Sequence, residues 1–245
     1  MREKIRNGME RLLSAEMGLS PEKLNEAGTV FSVCTGIKQP YIKILAYRNC
    51  VAVCTSEELS AKIQELLQGK SRDEIFELPF VYGQTIHYVP DGEALGKTLE
   101  MPGYDSEFLY GREIQALKGL TGFENSLAFD SNGTTPAKAA CIARDGGRMI
   151  GAAGASETSV KGVWEVGVDV MQGYRNAGLG TYLVRALTKE LLKRKIVPFY
   201  SASVTNIGSQ MVAARCGYVP LWVDTYGTVL DGSSAYDHIV CKLCL

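Results

Sequence analysis

The residues best placed to do chemistry are Arg175-Asn176-Ala177-Gly178-Leu179-Gly180-Thr181, inside a stretch from Val170 to Lys189 that contains no Asp or Glu. A helix start ordinarily attracts acidic side chains, because its unpaired N–H groups and its dipole are positive there. Here the start is acid-free. Gly178 and Gly180 remove side chains that would block approach to the backbone. Together with Arg175 the exposed amides would form an anion site, best suited to phosphate. The dipole contributes only about 0.3–1 kcal/mol, so direct hydrogen bonds must supply most of any affinity. The same glycine pair would also suit a tight turn that binds nothing.

Spacing separates this turn from other phosphate motifs. Gly178-Leu179-Gly180 supplies the first two glycines of G-x-G-x-x-G, but Leu183 stands at the third. The nearest approach to a P-loop is Asp91-Gly92-Glu93-Ala94-Leu95-Gly96-Lys97-Thr98, where Asp91 replaces the first glycine and Pro102-Gly103 soon follows. That segment reads as a loop.

The elements around the turn are a strand and a helix. Val163 to Val170 (VWEVGVDV) has the Val and Trp content of a strand. Leu179, Leu183, Leu187 and Leu191 then recur every fourth residue and give a helix with one apolar face. Alternation places Glu165, Gly167 and Asp169 on one face of the strand, with Trp164, Val166, Val168 and Val170 on the other.

The strand–turn–helix resembles motif A of the GCN5-related N-acetyltransferase (GNAT) superfamily, [QR]-x-x-G-x-[GA], here Arg175 to Gly180. Val170-Met171-Gln172-Gly173-Tyr174 is close to the preceding V-x-P-x-Y run, with Gln172 where Pro is common. The likeness extends over roughly the last 140 residues. The W-x-[IV]-G-[IV]-D-V strand, the VPFYS strand from Val197 and the N-I-x-S-Q helix start at Asn206 are most similar to a little-characterised bacterial group of that superfamily.

The resemblance implies an α/β (α+β) fold: a GNAT-type mixed sheet flanked by helices, with splayed fourth and fifth strands. It implies acetyl-CoA as co-substrate and no metal. Arg175, Asn176, Ala177, Gly178, Leu179, Gly180 and Thr181 would hold its pyrophosphate, and Val168 and Val170 its pantetheine and thioester carbonyl. Asn206 and Ser209 match the family's N-x-x-A helix start, with Ser209 at the usual Ala position. A carboxylate on or near the fourth strand would serve as general base, which makes Glu165 and Asp169 candidates. The family's general-acid Tyr stands four residues before the G-[FY] pair, and here that position is Ala213. Tyr200, Ser203 or Ser209 could substitute, the thiolate could leave unaided, or the protein could bind without catalysis. Phe123, Glu124, Asn125 and Phe129 fall where the family borders its acceptor site.

The implied function is transfer of acetyl from acetyl-CoA to a primary amine of a small molecule. The alternatives are a non-catalytic acyl-CoA-binding or sensing module, and an interaction domain with a vestigial motif. With 26 basic and 27 acidic residues and a formal charge of −1, no nucleic-acid or membrane partner is expected. No apolar run approaches the ~18 residues of a membrane span, and the charged N-terminus does not read as a signal peptide. Seven irregularly spaced cysteines point to reduced thiols in a cytoplasm, and Cys241-x-x-Cys244 to buried thiols. With His87 and His238 the only histidines, a His-based metal site is not expected, and His87 reads as a packing or surface residue of a strand.

Upstream of Tyr104 the pattern predicts a smaller N-terminal α/β domain over 1–103, leaving 104–245 as the acetyltransferase domain. Helices are expected over the first 28 or so residues, with Pro21 opening the second. Strands are expected at Thr29–Val33 and Tyr41–Cys54, and capping boxes at Thr55-Ser56-Glu57-Glu58 and Ser71-Arg72-Asp73-Glu74. Asp145-Gly146-Gly147 predicts a hairpin between Ala137–Arg144 and Arg148–Ala155. Final strands are expected at Tyr218–Asp224 and Ala235–Cys241. The N-terminal domain would shape the acceptor pocket or a homodimer contact.

Overall fold

The computed structural model describes residues 2–37, 40–92, 95, 103–225 and 227–229. The Gly96-Lys97-Thr98 loop, His238, the Ala235–Cys241 strand and the Cys241/Cys244 pair lie outside them. By contacts the chain divides into one unit of 1–9 with 88–220 and a second of 10–87 with 221–245. The expected boundary after residue 103 falls inside the first of these.

In the second unit, helices α1 (Arg2–Met17, of which residues 10–17 belong here) and α2 (Pro21–Leu24) precede strands β1 (Gly28–Val33), β2 (Tyr41–Tyr47) and β3 (Cys50–Thr55). β1 runs parallel to β3, and β2 antiparallel to it. Arg48 takes the left-handed conformation, with φ 53°, in the turn that joins β2 to β3. Helices α3 (Glu57–Leu67) and α4 (Arg72–Phe76) follow. Ile63, Leu67 and Ile75 pack on Ile42, Ile44, Val51 and Val53 to form the core. Ser71 and Glu74 make the predicted capping box. The box expected at Thr55 to Glu58 does not form: α3 starts one residue later, with Ser56 as its N-cap by position, and the Ser56 hydroxyl makes no cap bond but accepts the Tyr41 amide at 3.1 Å.

Two further features of this unit escaped the sequence. Cys34 and Cys54 form a disulfide that ties the end of β1 to β3. This corrects the expectation of uniformly reduced thiols and removes that ground for a cytoplasmic setting. Cys50, Cys141 and Cys216 are free and buried. His87 is a half-buried partner of Asp224, Nε2 to Oδ1 at 2.8 Å, and stacks on Trp222 with ring centroids 4.4 Å apart. Lys43 Nζ approaches the other carboxylate oxygen at 3.2 Å.

The first unit holds the strand and helix around which the sequence argument turns. Its strands run in the order β4 (Thr85–Pro90, of which residues 88–90 belong here), β9 (Val197–Ser203), β8 (Val163–Val170), β7 (Arg148–Glu157), β6 (Ala137–Asp145), β5 (Asp105–Tyr110). The hairpin at Asp145-Gly146-Gly147 joins β6 to β7 as predicted. β8 is antiparallel to β7 and parallel to β9, which makes the sheet mixed. Helices α5 (Arg112–Gln115), α6 (Leu179–Lys193) and α7 (Ile207–Cys216) flank it, and β10 (Tyr218–Asp224) begins here and ends in the second unit. Leu179, Leu183, Leu187 and Leu191 are buried, as their spacing requires. Gly151 on β7 lets α6 lie close, because a Cβ there would stand 3.0 Å from Leu183.

Burial raises the pKa of Asp224, but the His87 bond and the charges of His87 and Lys43 outweigh it and hold the carboxyl below its ordinary value. A depressed folded pKa gives stability that is present above the unfolded value, about 3.9, and is lost as pH falls through the folded one. Asp224→Asn is expected to flatten the loss of stability below about pH 4 relative to wild type, in urea melts at a series of pH values.

Candidate functional site

β8 and β9 pair from Val163↔Val197 to Val166↔Tyr200 and no further. Beyond that point Gly167–Val170 and Ser201–Ser203 diverge, which is the splay that the resemblance implied. β8 meanwhile stays paired with β7 as far as Gly151↔Val170. Opposed residues in an antiparallel ladder alternate between exchanging and not exchanging hydrogen bonds. The Met171 amide donates to Ile150 O at 2.9 Å, so Met171 is in phase with β7. Val168 and Val170 are out of phase, and their N–H and C=O groups point into the splay. A cavity of about 500 Å³ occupies it, lined by Val168, Asp169 and Val170 from β8, Tyr200 and Ser203 from β9, and the starts of α6 and α7.

Both helix starts that reach this cavity lack acidic residues in their first turn. At α6, Asn176 (φ 64°) and Gly178 (φ 83°, the N-cap) both take the left-handed conformation. A side chain is strained there, which is why a glycine stands at the cap. The first helical bond is Tyr182 N to Gly178 O at 3.0 Å, so the Leu179, Gly180 and Thr181 amides precede it. Arg175 Nε donates to Val170 O at 2.8 Å, pinning the turn to the end of β8. At α7 the Asn206 side chain accepts the Ser209 amide at 3.1 Å and caps the helix.

Of the sequence candidates, Val168, Asp169, Val170, Arg175, Asn176, Gly180, Tyr200, Asn206 and Ser209 line this cavity together. Ala177 and Gly178 shape the turn without lining it; Leu179 and Thr181 are buried beneath it. Glu165 is exposed and outside the lining. Asp169 accepts four hydrogen bonds: Asn125 Nδ2 to Oδ1 at 2.7 Å, and the Asn125 amide, Ser126 amide and Ser126 hydroxyl to Oδ2 at 2.9, 2.7 and 2.8 Å. Tyr200 OH lies 2.7 Å from Ser209 Oγ. Burial pushes the Tyr200 phenol up to about 12, against a smaller lowering by the Ser209 bond. Ala213, one turn after Ser209 on α7, is fully buried.

Sequence reasoning missed the turn that the Asp169 clamp lays across the sheet. Residues 125–126 pass over Gly167 and Gly154, where a Cβ would meet Asn125 O at 2.1 Å and Ser126 O at 1.6 Å. Glycine inside a strand is the signal that could have pointed to it. Of the four acceptor-site candidates, Asn125 lines the main cavity. Phe123, Glu124 and Phe129 line a second hollow of about 330 Å³. Among the described residues no cluster of three or more His, Cys, Asp or Glu could hold a metal.

Residues 110–218 match the model of the acetyltransferase (GNAT) family. These residues form a GNAT domain. The match takes in β8, the turn, α6, β9 and α7, that is, every element that lines the cavity. No curated protein matches the chain. Among solved structures it is similar to a GNAT-family protein from Novosphingobium aromaticivorans, at 17% identity over 58% of this chain and 62% of that one, TM-score 0.45. It is similar to a GCN5-related N-acetyltransferase-like protein from Streptococcus suis, at 15% identity over 92% of this chain and 99% of that one, TM-score 0.47. It is also similar to an aminoglycoside N-acetyltransferase, AAC(6')-Iy, in complex with CoA, at 20% identity over 50% of this chain and 93% of that one, TM-score 0.38. The chain thus spans less than two thirds of the Novosphingobium protein.

Gly167→Ala is expected to destabilise the protein by about 1–3 kcal/mol in urea melts, the cost of forcing a methyl into a filled space. An unchanged midpoint would mean that residues 125–126 do not lie against β8.

Proposed function

We propose that the cavity between β8 and β9 binds acetyl-CoA and that the protein transfers the acetyl group to the primary amine of a small molecule. The observation that carries this reading is the pair of out-of-phase residues, Val168 and Val170, aimed at a gap that also receives two acid-free helix starts. A buried amide needs a partner, and a linear ligand with a polar arm and a phosphate end supplies one at each position.

In this reading the Leu179, Gly180 and Thr181 amides, with those of Asn176–Gly178, hold the pyrophosphate, and Arg175 braces the turn through Val170 O. The amides of Val168 and Val170 hold the arm, and the latter polarises the thioester carbonyl. Bound acetyl-CoA supplies a thioester whose acetyl carbon bonds to the amine nitrogen as its C–S bond breaks, giving an amide and the free thiol. The nitrogen gives up one proton and the leaving sulfur gains one. Where the family's tyrosine would stand α7 carries Ala213, and the hydroxyl offered here is that of Tyr200 on β9, which meets α7 one turn earlier, at Ser209. A thiol titrates near 8.5, so a phenol pushed up to about 12 donates a hydrogen bond to the sulfur and does not surrender its proton. Asp169 is held by four donors from residues 125–126 and Glu165 stands outside the lining, so in this reading neither acts as a direct base and the amine proton passes to water.

The buried Ala213 keeps a second reading in view, an acyl-CoA sensor that binds without turnover. Calorimetric titration with acetyl-CoA, followed by thiol release in the presence of an amine panel, separates the two. Binding with amine-stimulated thiol release is expected; binding without it would favour the sensor, and no binding would remove both.

Two variants test the assignments. Gly180→Glu places a carboxylate at the α6 start without straining a helical backbone, and is expected to abolish acetyl-CoA binding in a folded protein. Tyr200→Phe is expected to slow thiol release about tenfold, the worth of one hydrogen bond of about 1–1.5 kcal/mol. Because burial pushes the phenol up to about 12, wild-type release is not expected to fall between about pH 8 and pH 10 through Tyr200.

A further inference from the structure

Asp169 lies beside the proposed acyl site, and its carboxylate is engaged by residues 125–126: Oδ2 accepts three hydrogen bonds and Oδ1 one. An ionised carboxylate only accepts hydrogen bonds, so the group that faces Oδ1 at 2.7 Å must be the amino end of the Asn125 amide. This settles which way Asn125 points. Its carbonyl oxygen, Oδ1, is the opposite end of the same planar group, and Asn125 is an exposed residue of the cavity lining. The backbone beside it cannot drift. The Asn125 and Ser126 amides and the Ser126 hydroxyl all converge on Oδ2, and the Asn125 and Ser126 carbonyls are seated over Gly167 and Gly154.

We propose that Asp169 is a positioning residue that aims the amide oxygen of Asn125 into the cavity, where it accepts a hydrogen bond from the N–H of the incoming amine. The proposal rests on the acyl-transfer reading and names the residue that meets its second substrate. A neutral amide oxygen suits that task. A carboxylate in the same place would stabilise the ammonium form, which has no lone pair for attack, whereas an amide oxygen binds the neutral amine with far less bias towards its charged form. The ligand class is therefore an uncharged primary amine presented N–H first, and the negative charge of Asp169 is held one residue away from it, spent on four donors.

Three variants test this, with an amine that the wild-type protein acetylates. Asn125→Ala removes the acceptor and leaves the Asp169 carboxylate. Asp169→Asn offers an NH₂ in place of Oδ1, so Asn125 must turn its oxygen inward and present N–H groups to the cavity. Both are expected to raise the KM for the amine about tenfold, with kcat within about threefold of wild type and unchanged acetyl-CoA affinity, as loss of a binding hydrogen bond requires. Asp169→Ala is expected to abolish the slow hydrogen exchange of the Asn125 and Ser126 amides, read by NMR without any turnover. An unchanged amine KM in Asn125→Ala would overturn the proposal. So would a collapse of kcat at constant KM in Asp169→Asn, because Asp169 would then be taking the proton itself. If the wild type acetylates no amine, the transferase reading falls and the acceptor role with it. The exchange measurement still decides the clamp: retained protection in Asp169→Ala would overturn that as well.

Discussion

The constraint on which the site depends is that β8 is hydrogen-bonded along one edge for its full length and along the other for only half of it. Four residues of β8 pair with β9, and the next four do not. A strand that loses its neighbour leaves polar backbone groups without their ladder partners, and such groups call for another partner. The protein does not close the gap with a bulge or a side chain. It surrounds it with Gly180, Gly208, Ser201 and Ser203, residues too small to fill it.

Everything nearby serves to keep that half-paired strand straight. On its far edge β7 continues the ladder to Val170. On one face α6 packs through its leucine stripe, made possible by Gly151. On the opposite face the segment around residues 125–126 lies flat on Gly154 and Gly167, tied down by Asp169. Arg175 ties the end of the strand to the turn that follows. A gap between strands leaves a sheet open at its centre, and these contacts brace its wall on both faces and along the far edge.

The second unit follows a different logic. Its centre is a compact apolar core under α3 and α4, and its polar cluster joins Asp224 to both His87 and Lys43. Partnered buried charges of this kind give specificity to a fold more readily than they give it stability. Nothing in the sequence reveals that partnership, because His87 and Asp224 are separated by 137 positions.

By itself the sequence determined the local elements and the turn. The leucine period, the glycines of the Arg175–Gly180 run and the absence of acid from Val170 to Lys189 act over a few residues, and the structure has α6 and its left-handed cap where those signals put them. The splay was legible only through resemblance, since no local rule stops β8 from pairing at Val166. What the tertiary structure alone decided is which polar groups are free to act. Strand alternation made Glu165 and Asp169 equivalent, four positions apart on the same face. Only the fold leaves Glu165 exposed outside the cavity and surrounds Asp169 with donors from 44 positions upstream. The fate of Ser56, taken by Tyr41 and lost as a helix cap, has the same cause. Whether a side chain is available depends on partners that come from distant parts of the chain, and spacing carries no record of them.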